Sequence, residues 1–346
     1  MKIMHVMAGA AEGGAENIML ESVLALQERD DIEQFVVTRD NNAFRLEQFE
    51  NAGIGTATAS FDKWLKFRTT KVIKKAIAEF QPDVIEYWMG RAGQFAVASH
   101  RDISIGWYGG YYKLERFKNC KWHIGLSIDL CRHIREQGVD DANVGLVHTM
   151  ADFENAKPAS RADLDTPEDA PVALALARLH WKKGLDTLLD ATVKVPGLYV
   201  WIAGDGPIED ELRAHCTRNG LDDRVRFLGW RNDRGALLAA CDVVAFPSRY
   251  EPFGTVTVDS WAARRPIVAA DAVGPAAYVK DGENGLLIPK DDVDALANAL
   301  TRVLNENGLA EKLIAGGDAT YEATFTKEAF QRDSVDFYNK IISAGS

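Results

Sequence analysis

The chain has 346 residues, of which 47% are apolar, and it carries a formal net charge of -11 with a pI near 5.2. The apolar content excludes a disordered chain, and the length exceeds what one hydrophobic core usually supports, so we expect two domains. The acidic balance argues against nucleic acid as a partner, and a phosphate-rich ligand would need locally placed cations.

The four cysteines form neither a C-x-x-C pair nor a dense disulfide framework, which fits a reducing cytoplasm. The first residues, MKIMHVMAGAAEGGAE, lack a signal-peptide cleavage pattern and soon become acidic. No apolar run reaches the length that spans a bilayer. These features predict a cytoplasmic protein, either free or attached to the inner surface of a membrane.

Short apolar runs alternate with amphipathic stretches through the first half of the chain. Five of the runs predict strands, namely KIMHVM, EQFVVT, DVIEYW, ISIGWY and HIGLS. The stretch AENIMLESVLALQER predicts a helix after the first of them. Strands that alternate with helices indicate parallel pairing with crossover connections.

A polar, proline-bearing segment interrupts this pattern before strands and helices alternate again. The predicted strands of the second half are VALALARL, LYVWIAG, VRFLGW, VVAFPS, PIVAAD and GLLIP. The sequence therefore predicts an α/β protein with two doubly wound, Rossmann-like domains that face each other across a cleft. We place the domains at 1–156 and 171–327, the linker at 157–170, and at 328–346 a terminal helix that packs back on the first domain.

The loop AGAAEGGAE follows the first predicted strand and offers Gly13 and Gly14 just before a helix. Backbone N–H groups at such a helix start favour an anion. The glycine spacing differs from the G-x-G-x-x-G pattern of dinucleotide-binding loops. An anion-binding loop and a simple tight turn are about equally consistent with these residues.

Charged and glycine-bearing loops follow the strands of the second half. Arg178 and Lys183 come after its first strand, where a guanidinium and an ammonium can neutralise a diphosphate. Gly204 lies in the turn IAGDGP. In SRYEPFGTVTVD the helical repeat brings Asp259 toward the side that faces Glu251. These two carboxylates are predicted to hold one polar ligand.

The second half resembles the carboxyl-terminal domain of glycosyltransferase family 4, a retaining, nucleotide-sugar-dependent family with the GT-B fold. The resemblance rests on the ordered segments ARLHWKKG, IAGDGP, FLGW, FPSRYEPFG and DGENGLLI. Over the first domain it rests on the Gly-Gly loop and the general layout. It implies a UDP-sugar or GDP-sugar donor, a glycan or lipid-linked acceptor on the first domain, and no cofactor. The implied process is lipopolysaccharide or cell-surface polysaccharide synthesis.

The resemblance also implies roles for individual residues. Arg178 and Lys183 would bind the donor diphosphate and stabilise the charge that develops as it leaves. Glu251 would contact hydroxyl groups of the donor sugar, and Asp259 would contact the ribose. The other implied donor-binding positions are Gly13, Gly14, Gly204, Leu228, Gly229, Phe253, Gly254 and Thr255.

Four positions depart from the family pattern. Tyr108 stands where many members have a histidine that contacts the donor sugar, and we count it as catalytic because a phenol can donate a hydrogen bond. Asp259 and Ala277 replace glutamates, and Arg264 replaces a glycine that ends a helix. Three alternatives therefore stay open: altered specificity, a nucleotide-sugar-binding protein without turnover, and another GT-B enzyme such as an epimerase or a phosphorylase.

Two D-x-D patterns, Asp163–Asp165 and Asp292–Asp294, are candidates for a metal site. The first lies in the predicted linker. The second opens a helix, where an aspartate is favoured as the N-cap. We therefore predict no metal site.

Residues 63–80 predict a basic amphipathic helix with Trp64, Arg68, Lys71 and Lys75 along one stripe. Such a helix can lie on an anionic membrane, or it can present an ordinary solvated face. The residues alone slightly favour the solvated face, and the lipid-linked acceptors of the family bring the two interpretations nearly level.

Overall fold

The computed structural model describes residues 1–11, 13–62, 64–153 and 155–345. These residues divide into two compact units. The first unit is Met1–Met150 together with a second segment that begins at Lys327, and the second unit is Ala151–Thr326. Lys63, at the start of the predicted basic helix, and Ser346, at the end of the predicted terminal helix, lie outside the described residues.

A parallel sheet forms the centre of the first unit. Its strands in the described part of the chain are β1 (Lys2–Met7), β2 (Glu33–Thr38), β3 (Gly55–Thr58), β4 (Val84–Trp88), β5 (Ser104–Tyr108), β6 (Trp122–Gly125) and β7 (Val144–Leu146). They lie in the order β3-β2-β1-β4-β5-β6-β7, and neighbouring strands pair in parallel. The five strands predicted in this half are confirmed, whereas the edge strands β3 and β7 were not predicted.

Helices connect the strands of the first unit and cover its sheet. They are α1 (Gly14–Gln27), α2 (Ala43–Asn51), α3 (Lys66–Phe80), α4 (Met89–Gly93) and α5 (Ile128–Glu136). Every residue of β4 and β5 is buried. Strands covered on both faces are apolar at nearly every position, which explains why they were recognisable as continuous runs.

The second unit repeats this architecture. Its strands in the described part of the chain are β8 (Val172–Leu176), β9 (Tyr199–Ala203), β10 (Val225–Gly229), β11 (Val243–Phe246), β12 (Ile267–Ala270) and β13 (Leu286–Ile288). They lie in the order β10-β9-β8-β11-β12-β13 with parallel pairing. The strands predicted in this half are all present, so the doubly wound α/β prediction is confirmed for both units.

The helices of the second unit follow its strands in turn. They are α6 (Leu185–Val193), α7 (Glu209–Arg218), α8 (Arg234–Ala240), α9 (Thr255–Ala262), α10 (Val273–Tyr278), α11 (Val293–Asn305) and α12 (Leu309–Thr324). Apolar side chains from strands and helices form a buried core on each face of the sheet.

The last helix, α13 (Lys327–Gly345), belongs to the first unit. Lys327 pairs with Glu28 at 2.9 Å, and the Gln331 side-chain amide donates to the carbonyl oxygen of Ala25 at 2.7 Å. These contacts join the start of α13 to the end of α1, and further along the helix the Phe337 ring packs 6.0 Å from the Trp122 ring of β6.

Residues 157–170, predicted as a linker, are instead part of the second unit. Arg161 donates to the carbonyl oxygens of Ala240 and Ala170, each within 2.8 Å, and pairs with Asp242 at 3.0 Å. The Trp201 indole donates to the Thr166 hydroxyl at 2.9 Å. Polar side chains of this segment hydrogen-bond to the second unit. The polar composition was therefore a poor guide to the domain boundaries, which were predicted at 156 and 171.

Among the described residues, no helix combines the length and apolar character needed to cross a membrane.

Candidate functional site

Loops at the carboxyl edge of the second sheet carry most of the residues predicted to bind a donor. Arg178 and Lys183 follow β8, Gly204 follows β9, and Glu251 follows β11. Strand β8 lies between β9 and β11, and all three are parallel. Their loops therefore leave the sheet at one edge as neighbours, which is the usual position of a ligand site in this kind of fold.

Lys183 and Glu251 form a direct ion pair across two of these loops. The Lys183 ammonium donates to Oε2 of Glu251. The two side chains are 23% and 15% exposed, so solvent screens the pair only partly. The ammonium has further hydrogens and the carboxylate has a second oxygen, so both groups can still bind a polar ligand.

Arg249 ties together the loops that carry this ion pair. Its guanidinium donates to both carboxylate oxygens of Asp186, at 2.8 and 2.7 Å, and to the carbonyl oxygen of Trp181 at 2.5 Å. It also contacts the Asp291 carboxylate. Its backbone N–H donates to the carbonyl oxygen of Lys182 at 2.8 Å. The position of Lys183 relative to Glu251 is thereby fixed from both loops.

The charges of Arg249 and Asp186 stabilise each other. Burial alone would raise the pKa of Asp186, but the hydrogen bond and charge of Arg249 outweigh burial and hold that pKa below its usual range. The hydrogen bond from Arg249 to Asp186 in turn raises the pKa of the guanidinium. Sequence reasoning missed Arg249 because Asp186 and Asp291 lie 63 and 42 positions away along the chain.

Helix α9 begins directly after Gly254, whose φ of 89° lies in the left-handed region. A Cβ at this position would also stand 3.1 Å from the Phe246 ring, so glycine is favoured by both conformation and space. Gly254 has no side chain to cap the helix, and the N–H groups of Thr255 and Val256 precede the first helical hydrogen bond, which Thr257 donates to the carbonyl oxygen of Gly254 at 2.9 Å. These N–H groups favour an anion at this end of the helix.

The turn before α9 is held from its other side. The Gly274 N–H donates to the carbonyl oxygen of Glu251 at 2.8 Å, and a Cβ on Gly274 would lie 2.3 Å from the carbonyl oxygen of Phe253. The Phe253 side chain is buried, and its ring packs against Tyr278 and Phe325. The Phe253 ring is therefore not available to a ligand.

Gly204 lets the loop after β9 approach the loop after β8. Its φ is 141°, and a Cβ would lie 2.1 Å from the carbonyl oxygen of Ala177. Its N–H donates at 2.7 Å to the carbonyl oxygen of Gly229, which has a φ of 65°. Leu228 is half-buried and packs against the core. These residues define the backbone path beside Arg178.

The Arg178 side chain is exposed, and no hydrogen bond or ion pair joins it to any residue that the structure describes. It therefore differs from Arg249, whose guanidinium is fully engaged. A free guanidinium at the carboxyl edge is available for an anionic ligand.

Asp259 lies on α9, where only 6% of the residue is exposed. Its carboxylate pairs with the guanidinium of Arg234, on α8, at 3.4 Å. Arg234 also lies over the Phe153 ring at 5.0 Å. The predicted ribose contact would have to compete with this ion pair, which sequence reasoning missed because no motif links the two residues.

Two further departures from the family pattern have a clear structural setting. Arg264 takes a φ of 55°, a conformation that glycine adopts at lower cost, and its guanidinium pairs with Asp318 at 3.3 Å. Ala277 is exposed on α10, so the missing carboxylate leaves no buried gap.

In the first unit, Gly13 precedes α1 and Gly14 is the first residue of the helix. The carboxylate of Glu16 folds back over this loop, and its Oε1 accepts a hydrogen bond from the Ala10 N–H at 2.7 Å. A Cβ on Gly13 would lie 2.2 Å from Oε2 of Glu16. A ligand anion at this helix start would therefore compete with a carboxylate of the chain itself.

Tyr108 is the last residue of β5, at the carboxyl edge of the first sheet. It is fully buried at the end of β5, and its ring packs 4.5 Å from the Phe117 ring and 5.7 Å from the His123 ring. Its hydroxyl is buried and has no hydrogen-bond partner in the described structure. A contact between Tyr108 and a donor sugar stays a prediction, and burial raises the pKa of its phenol.

The second D-x-D pattern has the structural role that was predicted for it. Asp292 is the N-cap of α11, and its carboxylate accepts a hydrogen bond from the Ala295 N–H at 2.8 Å. Among the described residues, no group of three or more histidine, cysteine, aspartate or glutamate side chains is arranged to hold a metal ion.

The second unit also contains the residues that a known protein family shares. The family model for glycosyl transferases group 1 matches residues 156–319. The lipopolysaccharide core biosynthesis glycosyltransferase LpsD of Rhizobium meliloti (strain 1021) is 32% identical over 348 residues, covering 98% of this chain and 98% of the relative. The chain therefore belongs to this family and is a glycosyltransferase.

A second relative agrees with this assignment, and a solved structure agrees with the fold. LpsE, another lipopolysaccharide core biosynthesis glycosyltransferase of the same Rhizobium strain, is 31% identical over 333 residues, covering 95% of this chain and 96% of the relative. Anabaena Alr3699/HepE, solved in complex with UDP and glucose, is similar in fold with a TM-score of 0.83 at 23% identity, covering 98% of this chain and 99% of that one. This similarity confirms the GT-B class of α/β fold with two Rossmann-like domains.

Proposed function

We propose that this chain is a retaining glycosyltransferase of family 4 that transfers a hexose from a UDP-sugar to a growing lipopolysaccharide core. The observation that carries the proposal is the ion pair of Lys183 and Glu251 beside the uncapped start of α9. The names of LpsD and LpsE support the lipopolysaccharide acceptor. The complexes of HepE with UDP and with UDP-glucose support a uridine nucleotide over a guanosine nucleotide.

The proposed chemistry begins with the donor diphosphate near two cations. Arg178 is free to bind it, and Lys183 supplies a second positive charge. As the bond between the anomeric carbon and the phosphate oxygen breaks, both cations and the N–H groups at Thr255 stabilise the charge that the leaving UDP gains. Glu251 accepts hydrogen bonds from hydroxyl groups of the sugar and so orients it.

The acceptor hydroxyl then attacks the anomeric carbon on the same face from which the leaving group departs. The phosphate oxygen takes the proton of this hydroxyl, so the products are the glycosylated acceptor and UDP. This route needs no protein carboxylate as a base and gives retention of configuration. It also differs from hydrolysis, which places two carboxyl groups on either side of the sugar bond.

The direct test incubates the protein with UDP-glucose, UDP-galactose or GDP-mannose and a truncated lipopolysaccharide core. We expect one UDP-sugar to give a product one hexose heavier by mass spectrometry, with an anomeric NMR coupling that matches the donor configuration. Inversion would contradict the retaining mechanism. Binding of every donor without any transfer would favour a nucleotide-sugar-binding protein, and donor consumption without an acceptor would favour an epimerase.

Metal independence and the absence of a cofactor are part of the same proposal. The cations in the site are side chains, so excess chelator is expected to leave the rate within about twofold of the untreated enzyme. Restoration of a lost rate by added magnesium or manganese would contradict the metal-free route.

The proposed acceptor is linked to lipid, and α3 offers a surface for an anionic membrane. Trp64, just before this helix, is 89% exposed, and Phe67 is 67% exposed. Arg68 and Lys71 are exposed beside them, whereas Ile73 is buried. Aromatic insertion and basic attraction together are the two contributions that hold a peripheral helix at a lipid surface. We therefore propose that the enzyme works at the inner face of the cytoplasmic membrane.

Vesicle co-sedimentation tests this membrane contact. We expect recovery with vesicles that contain phosphatidylglycerol to exceed recovery with phosphatidylcholine vesicles, and to fall when Trp64 and Phe67 are changed to serine. Lys312 and Lys340 lie on other helices, and changing both of them to serine gives a control variant. Equal recovery with both vesicle types would contradict the membrane contact and would mean that α3 presents an ordinary solvated face.

A further inference from the structure

An open pocket of about 710 Å³ lies in the first unit, and its lining includes none of the residues predicted to bind the donor. Its lining comes from segments that precede β6 and from the connection between α5 and β7. The pocket therefore lies toward the amino edge of the first sheet, whereas donor sites in doubly wound folds use the carboxyl edge. Its volume is in the range of pockets that hold small metabolites.

His123, on β6, is a buried polar residue that lines this pocket. The residue is only 2% exposed, and no hydrogen bond joins its ring to any residue that the structure describes. The rings of Phe117 and Tyr108 pack against it. Burial, together with the charge of Arg101, lowers the pKa of His123 to about 4, so the ring is neutral near pH 7. A neutral imidazole offers one donor and one acceptor, which is the pairing that a hydroxyl group requires.

Cations at the mouth of the pocket are available to a ligand. Arg101 and Lys118 line the pocket and are exposed, and neither forms an ion pair with a residue in the described ranges. Lys121 is already paired with Asp102 at 3.4 Å. These positions leave a guanidinium and an ammonium free to bind an anionic group.

Two carboxylates also line the pocket and limit what it can accept. Asp140 accepts a hydrogen bond from the Ala142 N–H at 2.8 Å, so it is partly satisfied. Glu115 is exposed. Their charge disfavours a ligand that is anionic at every end and favours one with hydroxyl groups beside a single anionic group.

We propose that this pocket binds a small sugar phosphate, with His123 hydrogen-bonded to a sugar hydroxyl and with Arg101 and Lys118 at the phosphate. The phosphate satisfies the free cations at the mouth, and a hydroxyl satisfies the buried ring that the fold leaves without a partner. Leu114 and Val139, which also line the pocket and are half-buried, supply an apolar wall against which a sugar ring can pack.

Isothermal titration calorimetry on the full chain tests the site with three probes: glucose 6-phosphate, glucose and inorganic phosphate. We expect glucose 6-phosphate to bind at least tenfold more tightly than either of the other two. Arg101→Ala and His123→Asn are each expected to weaken it about tenfold, the loss that corresponds to one hydrogen bond of ordinary strength. Arg101 is exposed, so its variant gives an answer even where the buried histidine variant fails to fold.

Two controls separate this pocket from the donor site and from general effects. Binding should persist in the double variant Arg178→Ala, Lys183→Ala, because those cations belong to the second unit. It should also persist in His148→Gln, which changes another histidine of the first unit that does not line the pocket. Loss of binding in the double variant would assign the probe to the donor site.

The remaining outcomes each decide against the proposal. If glucose 6-phosphate does not bind, the pocket is not a sugar-phosphate site. Equal affinity for inorganic phosphate and glucose 6-phosphate would mean that only the cations at the mouth act. Unchanged affinity in both Arg101→Ala and His123→Asn would place the ligand elsewhere.

Discussion

The two units share a doubly wound fold but place their ionisable side chains differently. In the first unit, His5 is fully buried between Glu86 and Gln34, with contacts of 3.1 and 3.0 Å. In the second unit, Lys183 and Glu251 meet in loops at the sheet edge and stay partly exposed. The contacts of His5 thus lie within the core, whereas the pair of Lys183 and Glu251 lies in loops that can reach a ligand. Two units with the same fold therefore differ in function through their loops.

The largest effect is expected from Glu251→Ala. The change removes the carboxylate that orients the donor sugar, so kcat/KM for transfer should fall at least ~100-fold, as for other preorganised polar groups. Because Glu251 lies in a loop outside both cores, the melting temperature should change little.

The matched control for this experiment is Glu211→Ala, which removes an exposed carboxylate from α7 in the same unit. A Glu251→Ala enzyme that keeps the wild-type rate would show that the second unit uses its ion pair for structure, as the first unit does.

Arg249→Ala is expected to have the next largest effect. The variant loses the contacts that hold the loops of Lys183 and Glu251 together, so donor affinity should fall roughly tenfold and the melting temperature should fall as well. Arg249→Lys should recover only part of both losses, because an ammonium cannot bind a carboxylate through two parallel hydrogen bonds.

Arg213→Ala is the control for Arg249, since Arg213 is an exposed arginine paired with Glu209 within one helix. Donor affinity is measured by calorimetry with UDP. A lower melting temperature with unchanged UDP affinity would limit Arg249 to folding.

Acid should act more strongly on the first unit. The pKa of His123 is about 4 in the folded chain and about 6.5 when unfolded, so its contribution is fully present above pH 6.5. As the pH falls from 6.5 to about 4, the unfolded state takes up the proton first and stability is lost. The loss is at most about 3.5 kcal/mol, because the two pKa values differ by about 2.5 and a difference of one corresponds to about 1.4 kcal/mol.

Hydrogen exchange at pH 7 and pH 4.5 resolves the two units in this experiment. We expect protection of β6 to fall by more than protection of β9, and His123→Gln to reduce that difference. Equal loss of protection in both units, unchanged in the variant, would show that the buried histidine is not the cause.

Asp259 is expected to give the smallest effect. Asp259→Asn removes the charge that pairs with Arg234, and the affinity for UDP should fall a few-fold, whereas Asp259→Glu should keep activity. A carboxylate that binds ribose accepts hydrogen bonds, and a water can bridge the shorter side chain. A lower melting temperature without lower UDP affinity in Asp259→Asn would mean that the residue only supports α9.

The sequence predicts the central strands well because their burial on both faces makes them apolar at nearly every position. The edge strands β3 and β7 were missed because they lack such an apolar run. Strand β3 reads GTAT, and three of its four residues are exposed, so it carries no apolar run. Strand β7 has only three residues. Their strand character depends on pairing with a neighbour, which a local pattern does not reveal.

The candidate site was predictable as far as chain order determines it. Arg178, Lys183 and Glu251 follow parallel strands, and such strands end at one edge of a sheet. Contacts between side chains were not predictable, because they depend on packing between distant segments. The burial of Tyr108 is an example: it follows from the Phe117 ring, which belongs to a separate 3-10 helix.

The order in which the chain emerges during synthesis gives α13 a particular consequence. The second unit is complete once residue Thr326 has left the ribosome, but the first unit still lacks the 19 residues of Lys327–Gly345. Residues 1–150 are therefore made before the entire second unit. The contacts of Gln331 and Lys327 with α1 and Glu28 can form only after that unit has been synthesised. The part of the chain made first is completed last, and a ribosome that stops before α13 would release a finished second unit beside an unfinished first one.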